Sequence, residues 1–400
     1  MFSIVYAARD ISRLREIYVV LVRHGFGEIV SRLRAQRPAR PRDPERRDSV
    51  TPPSSVRGDS LVPPGEPDFI PAEELTRGED ERSRISTAER IRLVAQDLGP
   101  SFIKLGQLLS TRPDVIPAEI LMELKKLQDD VPPEPFDKLR PQIEKCLGGP
   151  IEDVFERVDE RPLAAASIGQ VHRAWLKSEG GSIPVAIKIQ RPGVEQIVLR
   201  DLDLLHLLAA LIERAIPESR IYSPRGLVDQ FDRAISSELD FRVEAENAGR
   251  FARDNAHDPS VVFPKVYKQA SGKYVLTLEF LGGRKVYDAI AAGFEGPMLA
   301  RRALGVVIKQ IMEDGFFHAD PHPGNILILG TPTEPVFAML DLGMAGRLSP
   351  ELRDKTLDLM VAAVRRDHVG VADAMYEIGV PTRKVDMRAY RSDVSLLADK

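Results

Sequence analysis

A single cysteine, Cys146, stands in 400 residues. One thiol excludes an internal disulfide and any metal site built on several cysteines, and it fits a reducing compartment. Long apolar runs are missing as well. No stretch of about 18 apolar residues occurs, so no segment reads as a bilayer-spanning helix. At the start of the chain Arg9, Arg13 and Arg15 interrupt the apolar residues, which argues against a secretory signal. No strong charge of either sign is present: the net charge is −4, so no basic field favours nucleic acid. There is no internal repeat. What remains is 43% hydrophobic and 29% charged residues, an ordinary soluble balance with room for two or three domains.

Residues 1–35 read as an amphipathic helix. Ile11, Leu14, Ile17, Tyr18, Leu21 and Val22 recur at helical spacing among Arg13, Arg15 and Arg23. Such a helix lies on a membrane surface or docks on the rest of the protein, and the sequence leaves both open. Residues 36–80, rich in Pro, Arg, Asp and Ser, read as a disordered linker. Residues 81–150 are helical in pattern from a capped start near Thr87, with breaks near Gly99-Pro100 and Arg112-Pro113. From Val154 the apolar period shifts towards two. The expected strands are 154–158, 170–176, 185–190, 261–266 and 273–279, interrupted by helices over 194–215 and 224–255. Residues 282–400 are mainly helical. The pattern stops at Lys400 without a terminal signal, which leaves open a truncated lobe and a C-terminal membrane segment beyond it.

The densest chemistry falls between His318 and Gly343. His318-Ala-Asp-Pro-His-Pro-Gly-Asn325 precedes Ile326-Leu-Ile-Leu329, a turn, and Val336 to Leu340, followed by Asp341-Leu-Gly343. Strand, turn and strand bring Asn325 and Asp341 side by side, with Asp320 one short turn away. Protein kinases assemble a divalent-metal and phosphoryl-transfer site in this way. Asp320 is the candidate that orients the acceptor. Asn325 and Asp341 offer the hard oxygens that suit Mg²⁺. His318 and His322 flank Asp320 and orient its loop by hydrogen bonds. The competing reading, a metal hydrolase centred on these two histidines, lacks a distant third ligand.

Upstream, Val185-Ala-Ile-Lys188 alternates along a strand, so Ala186 and Lys188 face away from Val185 and Ile187. A largely buried ammonium needs partners, and ATP phosphates and a carboxylate supply them; Ala186 leaves room for a purine. The carboxylate is assigned to Glu244, on the segment that also carries Glu238 and Asp240. Between two strands, where ordinary kinases place a glycine-rich loop over the phosphates, Leu163 to Val171 has Ala164, Ala165, Ala166, Ser167 and only Gly169. Cβ atoms resist positive φ and close approach, so this lid is expected to be stiffer and nucleotide handling altered. Val275 to Leu281 runs apolar into Gly282-Gly283. In a two-lobed plan this is the hinge, where backbone groups of Glu279 and Leu281 meet the adenine edge.

In this order the motifs resemble the UbiB family of atypical kinase-like proteins, also called AarF or ADCK proteins, from about Ala88 to Gly346. The resemblance includes an element ordinary kinases lack: Gly99-Pro-Ser-Phe-Ile-Lys-Leu-Gly-Gln107, whose Lys104, Gly106 and Gln107 fit the family's Lys-x-Gly-Gln element. Glu238 and Asp240 fit its Glu-x-Asp element. The hairpin acid lies in Asp-Leu-Gly rather than Asp-Phe-Gly, which the family tolerates.

The resemblance implies an α+β, bilobal protein-kinase-like fold with a β-rich N-lobe (151–281, with a helical insert), a helical C-lobe (282–400) and an N-terminal helical extension. It implies ATP and Mg²⁺ as cofactors, and Lys104 and Gln107 folding over the active site towards Glu238 and Asp240, which disfavours protein substrates. It further implies a lipid or quinone-precursor ligand, lipid-biosynthetic protein partners, and a cytoplasmic location at the inner face of the cell membrane. Two activities fit: an Mg·ATP phosphotransferase or ATPase, and a non-catalytic nucleotide switch or scaffold.

Overall fold

The computed structural model describes residues 2–27, 85–127, 131–379 and 385–398. The linker expected over 36–80 lies outside these residues. The chain divides into two units, one of Met1–Asp129 with Gln196–Phe231, the other of Asp130–Glu195 with Asp232–Lys400. This partition differs from the sequence reading at two places. The helix Phe136–Leu147 buries Phe136, Leu139 and Ile143 on a sheet in the second unit instead of extending the helical segment before it. Residues 196–231, read as an insert in the β-rich lobe, group with the N-terminal helices.

The first unit is helical. Ser86 caps the helix Thr87–Leu98 by accepting the Glu89 N–H, and Gly99 at φ +94° with Pro100 at the next helix start separates it from Pro100–Leu109. Along Phe2–Arg23, Ile17, Val20 and Leu21 pack with Val94 and Leu98. Arg13 is buried, with Nε 2.7 Å from Asp201 and one terminal nitrogen 2.7 Å from the Leu98 carbonyl. Over residues 13–23 the helix is therefore docked on its own unit, one of the two outcomes left open above. The Pro100–Leu109 helix carries Lys104, Gly106 and Gln107. A Cβ at Gly106 would collide with the Leu127 side chain, and Gln107 donates to the Leu127 carbonyl at 3.3 Å, so close helix packing accounts for this glycine.

The strands belong to the second unit: β1 (Phe155–Val158), β2 (Ala164–Ala165), β3 (Gly169–Ser178), β4 (Gly181–Gln190), β5 (Val261–Val262), β6 (Val275–Glu279), β7 (Arg284–Lys285), β8 (Phe316–His318), β9 (Ile326–Gly330), β10 (Pro335–Met339) and β11 (Ala345–Arg347). The first sheet has the antiparallel order β1-β3-β4-β6, with β2 paired on β3. Its core side presents Val185, Ile187 and Ile189, none of them exposed, to the Phe136–Leu147 helix. The second sheet has the order β5-β10-β9-β7, and β8 pairs with β11. A separate core around Phe251, Phe316, Ile328 and Phe337 supports it, joined by Leu299 and Val306 of the helix Gly296–Lys309; the helices Pro350–Val364 and His368–Ile378 follow in the helical part.

Two expected elements come out differently. The strand over 261–266 shrinks to Val261–Val262, because Pro264 has no N–H to give a ladder; Val266 makes only a lone bridge to Leu278. The helix over 224–255 breaks into Pro224–Glu238 and Phe241–Asp254. Asp240, with φ −120° and ψ 94°, is the N-cap of the second helix and accepts the Arg242 N–H. A side chain able to cap competes with helix continuation, and here it wins.

Candidate active site

Strand alternation leaves Ala186 and Lys188 on the face opposite the core. The Lys188 Nζ lies 2.7 Å from Glu244 Oε2 and 3.0 Å from Asp341 Oδ1, above the Phe241 ring. Glu244 comes from the first turn of the Phe241–Asp254 helix, so the cap at Asp240 sets its position. Three segments far apart in sequence thus meet on one ammonium. Burial works to lower the Lys188 pKa, but the carboxylates of Asp341 and Glu244 outweigh it and hold the amine protonated. Burial pushes the Glu244 carboxyl up, with Lys188 opposing and Asp341 and Glu238 adding to the rise.

Asp341 follows the β9–β10 hairpin, whose register pairs Ile326 with Met339. One step further the Leu340 N–H donates to the Asn325 carbonyl at 2.8 Å, so Asn325 and Asp341 come from adjacent ends of one hairpin. Asp341 sits at φ +52°, a conformation that Asp and Asn tolerate better than other side chains. The Asn247 amide donates to the Leu342 carbonyl and fixes the backbone just beyond.

His318 staples the Asp320 loop to the same hairpin. Its Nδ1 accepts the Asp320 N–H at 3.1 Å, and its Nε2 donates to the Leu340 carbonyl at 3.0 Å. Both ring nitrogens are committed to backbone, which removes His318 as a metal ligand. Among the described residues no cluster of three His, Cys, Asp or Glu side chains could hold a metal ion. His322 Nδ1 accepts the Gly324 N–H and shapes the turn into Asn325. The Asn325 amide donates to the Asp320 carbonyl at 3.2 Å, which leaves Oδ1 as its acceptor face.

The alanine loop is a tight turn on β2 and β3. Ala165 pairs with Gln170, and the Ala166 N–H donates to the Gly169 carbonyl at 2.8 Å. A Cβ at Gly169 would lie 2.7 Å from the Ile189 carbonyl, so glycine is required where the loop returns to β4. Ser167 is fully buried and its Oγ has no hydrogen-bond partner among the described residues. An orphaned hydroxyl in this loop fits a phosphate oxygen as acceptor. The donors Asp341, Asn325 Oδ1 and Lys188 fit Mg²⁺ and phosphate in the same terms.

At the expected hinge, the Glu279 N–H is already given to the Lys265 carbonyl at 2.8 Å and the Phe280 N–H to the Pro184 carbonyl at 3.3 Å. Any pairing of Glu279 with a purine therefore falls to its carbonyl. Glu238 ends one helix and Asp240 caps the next, with the Asp240 carboxylate held by Arg242 Nε at 2.8 Å. Glu238 and Glu244 thus stand on different helices, not on the single one expected. Sequence reasoning missed Asn247, which stands one helical turn after Glu244 and could have been found by that spacing. It also missed Gln310, whose buried side chain accepts the His318 N–H at 3.1 Å.

A buried histidine beneath the alanine loop makes stability pH-dependent. His172 is fully buried; its Nδ1 donates to the Asp159 carbonyl and its Nε2 accepts from Gln170 Nε2 at 2.8 Å. Burial lowers its pKa, more than the Asp159 hydrogen bond raises it. As pH falls, the unfolded chain takes up this proton before the folded chain does. The His172 contribution is therefore complete above the ordinary histidine value of 6.5 and declines below it. Urea midpoints measured from pH 7.5 to 5.5 should fall for the wild type and fall less for His172→Gln. Equal falls in both would refute this source.

A small antiparallel sheet with a paired lysine, a helical part, and an Asp/Asn/Asp set on a loop and hairpin define a protein-kinase-like protein. Residues 126–375 match the ABC1 atypical kinase-like domain, and the chain belongs to that family. Its similar relatives include proteins named "Probable protein kinase UbiB". The one from Marinobacter nauticus is 36% identical over 300 residues, covering 74% of this chain and 54% of the relative. The one from Aeromonas salmonicida is 39% identical over 308 residues, covering 76% and 56%. The chain therefore spans about half the length of the curated relatives it matches. Among solved structures, the complex of Rv3197 with erythromycin from Mycobacterium tuberculosis shares the fold, with a TM-score of 0.51, 24% identity and 82% of each chain covered.

Proposed function

We propose that this chain is an atypical, UbiB-type phosphotransferase or ATPase that uses Mg·ATP, acts in ubiquinone or isoprenoid-lipid biosynthesis, and works at the membrane surface. The observation that carries this reading is Lys188 within 3.0 Å of both Glu244 and Asp341, beside a loop that His318 locks to the same hairpin. Lys188, oriented by Glu244, would hold the phosphates with Ser167 and the backbone of Ala165, Ala166 and Gly169. Asn325 Oδ1 and Asp341 would hold Mg²⁺, with Ala186, the Glu279 carbonyl and Leu281 around the base. When bound, Mg·ATP supplies an activated phosphoryl group whose charge the metal neutralises. Asp320 is the base that orients the acceptor hydroxyl or water. In this reading the acceptor is something other than a protein, such as a lipid or quinone precursor.

No helix among the described residues is long and apolar enough to cross a membrane. The membrane part of the proposal rests on the helix Val194–Ala215, whose Leu207, Leu208, Leu211 and Ile212 are exposed, with Ile216 just beyond it. An apolar row of this kind suits a lipid interface. The test is nucleotide hydrolysis by purified protein with and without anionic vesicles. Mg²⁺-dependent turnover that rises with vesicles is the expected result. Tight ATP binding without turnover in either condition would favour the non-catalytic switch, and no ATP uptake at all would refute both.

A further inference from the structure

Residues 131–135, Val-Pro-Pro-Glu-Pro, run without regular secondary structure beside the alanine loop. Prolines at 132, 133 and 135 lack N–H groups, so this strap cannot join the sheet as a ladder strand. It is tied down instead by two side chains whose targets are backbone. The Gln170 amide, almost fully buried, accepts the Glu134 N–H at 2.9 Å and donates to the Glu134 carbonyl at 3.1 Å. Arg191, with only 11% of its side chain exposed, donates through Nε to the Ala166 carbonyl at 2.9 Å and through a terminal nitrogen to the Pro132 carbonyl at 2.9 Å. The Arg191 backbone N–H also donates to the Ile168 carbonyl at 2.8 Å. One residue therefore holds two carbonyls of the alanine loop and joins them to the strap.

Apolar packing does not take over this task. Pro132 and Pro133 are exposed, and with Val131, Arg161, Pro162 and Ala164–Ala165 they line an open groove of about 460 Å³. Nor can the loop readjust easily, because it has no glycine between Leu163 and Ile168. The loop's peptide orientations are thus set from behind, through one hydrogen bond to a buried cation and one to the backbone N–H of the same residue. Burial costs Arg191 part of its proton affinity, and the Glu134 carboxylate 3.8 Å away opposes that loss.

We propose that Arg191, with Gln170, is a positioning residue that presets the alanine loop for the nucleotide's phosphates and ties that loop to the strap at 131–135. This rests on the nucleotide-site reading above. Arg191 does not touch the nucleotide in this account; its side chain acts through the carbonyls of Ala166 and Pro132. Loosening it should weaken ligands that carry phosphates and spare those that do not.

The experiment is calorimetric titration of the full chain with Mg·ATP and, separately, with adenosine. Arg191→Ala should weaken Mg·ATP by about tenfold, the scale of one or two charge-assisted hydrogen bonds, and leave adenosine affinity unchanged. Arg191→Lys, which keeps a cation able to reach one carbonyl, should recover part of the loss. Gln170→Ala, which frees the strap and the His172 ring but keeps the Arg191 bond to the Ala166 carbonyl, should give a smaller loss of the same selectivity and stands in if Arg191→Ala does not fold. Wild-type uptake of Mg·ATP with unchanged affinity in the folded variants, or equal losses for ATP and adenosine, overturns the positioning role alone. A wild type that takes up neither ligand overturns the site reading and this inference together.

Discussion

Asp341→Asn is expected to lower Mg²⁺-dependent ATP turnover by about a hundred- to a thousandfold while leaving the chain folded. The backbone argument comes first. Asp341 lies at φ +52°, where most side chains are strained, but Asn shares the tolerance of Asp for this region. The substitution therefore keeps the turn and the Leu340-to-Asn325 hydrogen bond that closes the hairpin. It removes one negative charge from a position 3.0 Å from Lys188, and that ammonium keeps Glu244 at 2.7 Å. What disappears is the anionic oxygen assigned to Mg²⁺. Steady-state hydrolysis across a Mg²⁺ titration, with circular dichroism to confirm folding, measures the effect. Turnover within a few-fold of wild type would remove Asp341 from the metal site. Asp341→Ala should add a stability loss of about 1 kcal/mol, because alanine lacks that tolerance for left-handed backbone.

The parts of this site that could be read in the sequence are those where chain geometry leaves few choices. A hairpin has one way to bring Asn325 and Asp341 together, and a strand has two faces, so Lys188 and Ala186 had to lie opposite Val185 and Ile187. The unread parts depend on competition between local options or on contacts without periodicity. Residues 224–255 carry a helical pattern throughout, yet Asp240 caps a new helix and divides it. The apolar run at 261–266 looks like a strand until Pro264 is weighed as a missing donor. Arg191, Gln170, His318 and Gln310 bind backbone groups distant in sequence, and no spacing rule announces such bonds. The division of the chain near residue 130 was hidden for a similar reason. The helix Phe136–Leu147 has the same amphipathic pattern whichever core receives it.

The Lys188 pair separates stability from chemistry, and its variants should do so in measurable steps. Lys188→Met leaves the Glu244 carboxylate, 6% exposed, facing Asp341 and Glu238 without a cation. Removing one partner of a buried ion pair costs about 3–5 kcal/mol, and the lower end applies because Lys188 is itself 22% exposed. Burial already pushes the Glu244 carboxyl up, and loss of Lys188 removes the influence opposing that rise. A carboxyl whose folded pKa lies above its unfolded value loses stability as pH rises past the unfolded value. The deficit of Lys188→Met should therefore be small near the ordinary value of 4.5 and grow towards neutrality. Adding Glu244→Gln removes the buried charge, so the double variant should regain most of the urea stability at pH 7. It should not regain ATP turnover, since the ammonium that would meet the phosphates is still missing. A double variant as unstable as the single one would show that Lys188 stabilises this lobe by packing on Phe241 instead of by neutralising Glu244.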